Sequence, residues 1–332
     1  MEIMALTAKQ TNSPWGGLPY YPISQFYRSL FGCKVYKVPV SVAQTCPNRE
    51  GIKGMQTCNF CDEWGSAAYP EIRHHSLEEQ VARTMENMRL NYRAQKFLVY
   101  FQAYTNTFSK SQQLRQQFAE AFAFPDVVGA VVGTRPDCIS DAVMDLWYEA
   151  SQTHFMAVEL GVQSFDNKQL EWMRRGHLVD KTFQAVERIS RSNPQINLGI
   201  HLMFGWPDET DEDIIEAAQL TNSLPIHNVK LHNLHVLKNT PLAEDYLAGR
   251  FKPIELEDYS RRVMLFLQHL NPRIAVHRLA ALSRRSEELL APRWTAKKME
   301  IYQGLLDYLR EHGAYQGQKF ADSRLAKIPA GE

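Results

Sequence analysis

The chain has 332 residues, which is long for an ordinary domain but comfortable for a single α/β barrel. Apolar residues make up 44% and charged residues 22%, the balance of a globular protein with a sizeable core. Lys and Arg total 37, as do Asp and Glu, so no net charge attracts the whole protein to nucleic acid or membrane.

The N-terminal stretch MEIMALTAKQTNSPWGG lacks the basic start and the apolar run of a secretory signal. No apolar segment approaches the ~20 residues that a membrane-spanning helix needs. The five cysteines are an odd number, and their spacing is not that of a small disulfide scaffold. We therefore expect a cytoplasmic protein with no membrane partner, since a reducing compartment keeps thiols free to bind metal.

Apolar segments alternate with amphipathic ones along most of the chain, which predicts strands separated by crossover helices. The predicted strands are residues 35–42, 97–102, 127–134, 155–162, 196–204, 229–236 and 274–278. The predicted helices are residues 76–92, 109–123, 139–150, 179–192 and 210–223. Several strands are continuous apolar runs, as in parallel sheets buried on both faces. The fold class is therefore α/β, a partial (β/α)6-type TIM barrel of parallel strands with a C-terminal helical extension.

Two helix starts have a local cause, because Ser76 with Glu79 and Thr210 with Asp213 match the capping-box pattern. We expect the domain organisation to follow the strand repeat. Residues 1–30 would be an N-terminal extension, residues 31–280 the barrel and residues 281–332 a C-terminal helical cap.

In such barrels the functional side chains lie at the C-terminal ends of the strands. Polar residues end or follow successive strands here, and we predict that they converge on one pocket. These residues are Gln102, Thr105, Asn106, Thr134, Arg135, Glu159, Gln163, His201 and Gly205. His232 and His235 both lie on the predicted sixth strand, three positions apart. Strand alternation would point them to opposite faces, so at most one is expected in the pocket.

Cys46, Cys58 and Cys61 form the pattern Cys-x11-Cys-x2-Cys in the loop after the first strand. Iron–sulfur clusters normally take four thiolates, so three thiolates leave one iron open. An open coordination position marks a metal that reacts. The alternative is a structural zinc site completed by His74 or His75.

An aromatic residue, Phe60, lies between the two close cysteines, and the pattern resembles the cluster motif of radical S-adenosylmethionine enzymes. The segments TCPNREG, YFQAYTNT, GTRPDC, VELGVQS, RRGH and KLHNLHVLKNTPLA resemble the YhcC-type branch, which is related to the Elongator catalytic subunit. The resemblance extends over about residues 20–320. The turn GWPDET places Asp208 where the superfamily usually has glycine, which often supplies a positive φ.

The resemblance implies a [4Fe–4S] cluster on the three cysteines, with S-adenosylmethionine at the open iron. Reductive cleavage would give a 5′-deoxyadenosyl radical that abstracts hydrogen from a substrate, with electrons from a one-electron donor such as flavodoxin or ferredoxin. Phe60 would pack near the adenine, and the segment from Gln102 to Asn106 would orient the methionine amino group.

Two charged residues have specific predicted roles at the cofactor. Glu159 is the candidate for the ribose hydroxyls, because an ionised carboxylate accepts two hydrogen bonds. Arg175 would pair with the methionine carboxylate, because a planar guanidinium can donate two parallel hydrogen bonds to a carboxylate. The adjacent Arg174 is the alternative candidate for this role.

The substrate is either a small molecule or tRNA. The neutral charge favours a small molecule, with Lys230, His232, Asn233, Lys238 and Arg278 as candidate polar contacts. Kinship to the Elongator branch favours tRNA. A non-catalytic iron–sulfur or metal-binding carrier is the alternative function.

Overall fold

A computed structural model describes residues 14–65, 70–283 and 285–321. Its strands are β1 (Val35–Val40), β2 (Lys96–Phe101), β3 (Val127–Thr134), β4 (Phe155–Gln163), β5 (Asn197–Phe204), β6 (Asn228–Asn233), β7 (Val236–Leu237), β8 (Ala275–Val276) and β9 (Leu289–Ala291). Seven of these form one parallel sheet in the order β1-β2-β3-β4-β5-β6-β8. This curled sheet confirms the predicted partial barrel.

The helices lie mostly between the strands of this sheet. They are α1 (Ile23–Phe31), α2 (Leu77–Tyr92), α3 (Ser111–Phe122), α4 (Asp141–Ser151), α5 (Asn167–Trp172), α6 (Val179–Ser192), α7 (Asp211–Ser223), α8 (Pro241–Leu247), α9 (Leu256–His269) and α10 (Lys298–Glu311). Helix α9 joins β6 to β8 and was not predicted. Among the described residues, no helix is long and apolar enough to cross a bilayer.

Both predicted capping boxes are present. The Ser76 hydroxyl accepts a hydrogen bond from the Glu79 amide, and the Glu79 carboxylate accepts one from the Ser76 amide. Thr210 and Asp213 make the same reciprocal pair at the start of α7. Each box satisfies two amides that the first helical turn leaves without a partner. These helix starts were therefore predictable from local sequence.

The two faces of the sheet pack against different partners because strand side chains alternate. On β2, Val99 and Phe101 face the outer helices, whereas Leu98 and Tyr100 face the interior. Tyr27 of α1 packs against this interior group and closes the barrel.

Helix α1 lies within the stretch predicted as an N-terminal extension. The segment before it also joins the sheet, since the Val276 amide donates to the Tyr21 carbonyl at 2.7 Å. Residues 1–13 of that extension and residues 322–332 of the predicted cap lie outside the described residues. The described part of the cap contains β9 and α10. The domain boundaries stay a prediction.

The sixth strand is shorter than predicted. It ends at Asn233, and the chain then turns so that β7 pairs with β9 in a separate antiparallel ribbon. The alternation assumed for residues 229–236 therefore stops before His235. This local break changes which histidines reach the interior.

Candidate functional site

A cavity of about 260 Å³ opens at the C-terminal edge of the parallel sheet. The three cysteines of the Cys-x11-Cys-x2-Cys pattern line it together. Most of the other residues predicted for the site line it as well: Phe60, Gln102, Thr105, Thr134, Arg135, Glu159, Gln163, Arg175 and His201. The sheet edge thus gathers residues from segments more than 100 residues apart in sequence, as the barrel rule predicts.

Two residues predicted for the cofactor site, Asn106 and Gly205, do not line the cavity, and neither does Lys238, a predicted substrate contact that is exposed. The Asn106 amide nitrogen donates to the carbonyls of Phe101, Ala103 and Gly133, at 2.9, 3.2 and 3.1 Å. Asn106 therefore supports the backbone that carries neighbouring cavity residues.

Gly205 lies at the turn after β5 with a φ of 105°, and its amide donates to the Glu209 carboxylate. A Cβ here would approach Ile254 Cγ2 at 2.9 Å. The glycine is explained by backbone geometry and close packing. In the same turn Asp208 has a φ of 57°, as expected for a residue that replaces glycine.

The cysteine loop is anchored by backbone contacts to the segment between α5 and α6. The side-chain amide of Asn48 donates to the backbone carbonyls of Gln56 and Arg174, both at 2.6 Å. The Asn59 amide of the backbone donates to the Met173 carbonyl at 3.1 Å. Cys58 and Cys61 lie on one tight turn, closed by the Cys61 amide on the Cys58 carbonyl at 3.1 Å.

Two guanidinium groups lie against the sulfurs. Arg175 Nη1 is 3.6 Å from Cys58 Sγ, and Arg49 Nη2 is 3.8 Å from Cys61 Sγ. Burial, with a contribution from Cys58, raises the pKa of the Cys61 thiol to about 12. A thiolate at this position therefore needs compensating positive charge, which metal ligation supplies. Hydrogen bonds to ligating sulfurs are also a recognised feature of iron–sulfur sites.

The zinc alternative gains no support from this geometry. Neither His74 nor His75 lines the cavity, and His75 instead contacts Arg83 and Glu79. Within the described ranges, no three or more His, Cys, Asp or Glu side chains are gathered as around one metal ion. Thiolates on a single zinc lie about 4 Å apart. A four-iron cluster binds each cysteine through a different iron, so its ligands need not meet at one ion.

Of the two adjacent arginines in RRGH, only Arg175 lines the cavity; Arg174 is exposed. The Arg175 guanidinium donates to the Gly161 carbonyl at 2.8 Å, and its Nε is buried without a partner. Gln163, with a φ of 71°, likewise has a buried Oε1 without a partner. Phe60 packs edge-on against Trp206, with ring centroids 6.1 Å apart. Buried polar atoms left unpaired beside a cavity fit a polar ligand.

Glu159 is the centre of a buried polar cluster. Its carboxylate accepts from Tyr100 at 2.7 Å, from His201 at 2.6 Å and from Lys230 at 3.2 Å. Lys37 contacts its other oxygen. Burial alone would raise the pKa of Glu159, but Lys230 and Lys37 hold it well below its ordinary value. These contacts place Glu159 in an internal polar network at the cavity wall, and its contact with the ribose hydroxyls stays a prediction.

The histidines at the end of β6 and just after it differ from the expectation. His232 and His235 both line the cavity, because β6 ends between them. Arg278 Nη2 lies 2.8 Å from His232 Nδ1. Burial, with Arg278 as the next cause, lowers the pKa of His235 to about 4 and that of His232 well below its ordinary value. Both rings are therefore neutral at pH 7.

Sequence reasoning missed several residues of the site. Arg285 and Asp62 form an ion pair at the cavity wall, and Tyr100 and Lys37 complete the cluster around Glu159. The position of Asp62 directly after Cys61 was a usable signal. No local pattern marks Lys37 or Arg285, because their partners are 122 and 223 residues away.

Two family profiles match the chain. The profile named Radical SAM superfamily matches residues 40–221, and the Radical_SAM C-terminal domain matches residues 226–311. The chain is 36% identical over 286 residues to the YhcC protein of Escherichia coli strain K12, covering 85% of this chain and 90% of that protein. It is 31% identical over 301 residues to the YtqA protein of Bacillus subtilis strain 168, covering 91% and 92%.

The fold is similar to that of Elp3 from the archaeon Methanocaldococcus infernus, with a TM-score of 0.66 and 17% sequence identity. The match covers 85% of this chain and 64% of the Elp3 chain, so this protein spans less than two thirds of that structure. At this identity the similarity concerns the fold alone.

Proposed function

The chain belongs to the radical SAM superfamily, in its YhcC-type branch, and from this membership we propose that it is a radical S-adenosylmethionine enzyme with one [4Fe–4S] cluster. One observation carries the proposal: three cysteines line a single cavity, and guanidinium groups lie against two of their sulfurs. Cys46, Cys58 and Cys61 would hold the cluster. When bound, the reduced cluster and S-adenosylmethionine supply a 5′-deoxyadenosyl radical for hydrogen abstraction from a substrate.

The side of the cavity that the three cysteines line, here called the cofactor side, offers distinct contacts for S-adenosylmethionine. Arg175 would pair with its carboxylate, since its Nε is buried without a partner and its planar fork suits a carboxylate. Phe60 would pack near the adenine, held by its contact with Trp206. The strand-end residues that complete this side are Gln102, Thr105, Thr134, Arg135 and Gln163.

The walls of the cavity would also protect the reaction from water. Ala281 and Leu282 line the cavity from the segment after β8, and Met203 and Leu234 line it from the ends of β5 and β6. Such apolar walls limit quenching of a reactive species by solvent. A one-electron donor, of the flavodoxin or ferredoxin type, would supply the electron from outside.

A small-molecule substrate is favoured, because the polar groups beyond the cofactor side are buried inside the cavity. A tRNA is the alternative class. It would bind through phosphate contacts, and its affinity would then fall steeply as salt rises. A shallow or absent salt dependence would exclude the tRNA alternative.

The direct test is anaerobic reconstitution with iron and sulfide, followed by dithionite and S-adenosylmethionine. We expect 5′-deoxyadenosine by chromatography. Cys58→Ala should lose the cluster absorption at about 400 nm and form no 5′-deoxyadenosine, because one of three thiolate ligands is gone. The matched control is Cys33→Ala, which removes a thiol outside the cavity. It should keep both the cluster absorption and the formation of 5′-deoxyadenosine. An intact cluster without product would instead indicate a non-catalytic carrier.

A further inference from the structure

The cavity has a second side that the cofactor roles leave unused. Lys230 and Asn233 from β6, with Arg278 after β8, line it. We call these three residues the basic wall. They lie on the β6–β8 edge of the sheet, whereas on the cofactor side Thr134 ends β3, Gln163 ends β4 and Arg175 follows α5. The division indicates separate positions for cofactor and substrate.

Charge in the cavity is unbalanced. The described residues that line it include five basic ones, Arg135, Arg175, Lys230, Arg278 and Arg285, against two carboxylates, Asp62 and Glu159. Asp62 is paired with Arg285, and Arg135 is paired with Asp137, which does not itself line the cavity. Glu159 pairs with both Lys37 and Lys230, so one carboxylate faces two ammonium groups, of which that of Lys230 is buried and that of Lys37 is partly buried. Buried charge of one sign attracts a ligand of the other sign.

Asn233 supplies a directed donor on this wall. Its side chain is 1% exposed, and its Oδ1 accepts from the Ala281 amide at 2.8 Å. Its Nδ2 is buried with no hydrogen-bond partner. An unpaired buried donor is costly, and a donor that faces a cavity can be satisfied by a bound water, ion or ligand. Because Asn233 borders the cavity, an acceptor placed there would satisfy it.

Lys230 and Arg278 add charged donors beside this amide. Lys230 donates to Tyr100 at 2.8 Å and to Glu159 at 3.2 Å, which uses two of its three protons. Burial is the largest cause that lowers the pKa of Lys230, to about 7, and Arg278 contributes. Arg278 also depresses the pKa of His232 and His235 after burial. The wall therefore carries positive potential.

We propose that Arg278, Asn233 and Lys230 bind a carboxylate or phosphate group of the substrate. The inference rests on the proposed function, because it assumes that the cluster and S-adenosylmethionine occupy the side of the cavity that the cysteines line. Lys230 is 8% exposed and Asn233 is 1% exposed, so the anion enters the cavity rather than lying across its rim. The substrate class is therefore an anionic small molecule.

The test uses full-length, cluster-reconstituted protein saturated with S-adenosylmethionine, so that the cofactor side is filled. Sulfate stands for a phosphate group and acetate for a carboxylate, and each is titrated by calorimetry at constant ionic strength. The key variant is Asn233→Asp, which keeps the acceptor for the Ala281 amide but replaces the free donor with a charged acceptor. We expect its anion affinity to fall about tenfold or more, as for the loss of a hydrogen bond to a charged group.

The matched control is Arg273→Gln, which removes an exposed arginine five positions before Arg278 and should leave affinity unchanged. Arg278→Gln is the second variant and should weaken binding as strongly as Asn233→Asp. Circular dichroism confirms that each variant is folded. Preference for sulfate or for acetate identifies the anion type.

Two results would overturn the inference: no saturable binding of either anion by the wild type, or equal binding by wild type and both wall variants. Displacement of sulfate by tRNA would overturn the small-molecule class. If 5′-deoxyadenosine forms but the variants bind normally, only this inference fails. If the variants lose anion binding but no 5′-deoxyadenosine forms in the wild type, the proposed function fails and the anion site stands.

Discussion

The carboxylate of Glu159 on β4 lies 3.2 Å from the ammonium of Lys230 on β6, across the width of the intervening strand β5. A flat sheet would hold residues two strands apart about 10 Å from one another. The curvature of the partial barrel turns both side chains inward and closes that gap. Glu159 thereby links the strands that bound the interior of the site.

We expect Glu159→Gln to lower the free energy of unfolding by about 3 kcal/mol at pH 7, because it leaves the buried ammonium of Lys230 and the partly buried ammonium of Lys37 without their carboxylate. Urea denaturation followed by circular dichroism measures this. The control is Glu149→Gln, an exposed residue paired with exposed Arg115, which should not shift the midpoint.

The same variant carries a pH dependence. The pKa of Glu159 is held below its unfolded value of 4.5, so its contribution is present above that pH and is lost as pH falls toward the folded pKa. The stability difference between wild type and Glu159→Gln should therefore shrink as the pH is lowered below about 4.5. A difference that is constant or that grows would contradict the ionised assignment.

Gly205→Ala tests the structural reading of a residue that the sequence placed at the cofactor. Its φ of 105° and the 2.9 Å approach to Ile254 predict a loss of about 2 kcal/mol. Gly304→Ala is the control of opposite sign. It lies inside α10, where a Cβ meets Leu256 at an ordinary 3.7 Å, and should stabilise by about 0.5–1 kcal/mol. Two equal melting curves would refute the packing argument.

Arg175→Gln should weaken S-adenosylmethionine binding to the cluster-loaded protein about tenfold or more, because a charged fork is replaced by a neutral amide. Equilibrium dialysis measures the affinity, and the absorption spectrum reports whether the cluster is retained. Arg174→Gln is the neighbouring control and should bind normally, since Arg174 lies outside the cavity. Equal loss in both variants would argue against the carboxylate role.

Sulfate affinity should fall as the pH rises from about 6 to 8, because Lys230, with a pKa of about 7, then loses its charge. Sulfate keeps its own charge over this range, so the protein causes the change. The charged and titratable groups around Lys230 are Glu159, Lys37, Arg278, Tyr100, His201, His232 and His277. Calorimetry at several pH values measures the effect, and a flat profile would exclude Lys230 from the anion site.

Much of the fold was predictable because its signals are local. Apolar segments, several of them continuous, predict the strands of the sheet, and Ser76 and Thr210 indicate two helix starts through their own capping contacts. The amphipathic helix α9 carries a comparable pattern but was not assigned. The sequence predicts only an extension where helix α1 lies, because nothing near it in sequence indicates that Tyr27 packs against the barrel interior.

The expectation that functional side chains lie at the C-terminal ends of the strands identified most cavity residues. It could not distinguish residues that line the cavity from residues that support the backbone around it. Asn106 was expected in the pocket, yet it satisfies three backbone carbonyls. His235 was expected on the face opposite His232, yet both line the cavity. Alternation holds only while a strand continues, and the turn after Asn233 depends on the pairing of β7 with β9, a distant partner.

The sequence by itself determined the fold class and predicted the metal chemistry, because the apolar runs and the cysteine spacing are properties of short segments. Only the tertiary structure decided which charges meet. Lys37, Lys230 and Glu159 come from three separate strands, and their contacts exist because the curled sheet directs those side chains to one interior point. The interaction energy of two charges depends on their distance in space, and no local sequence pattern specifies that distance.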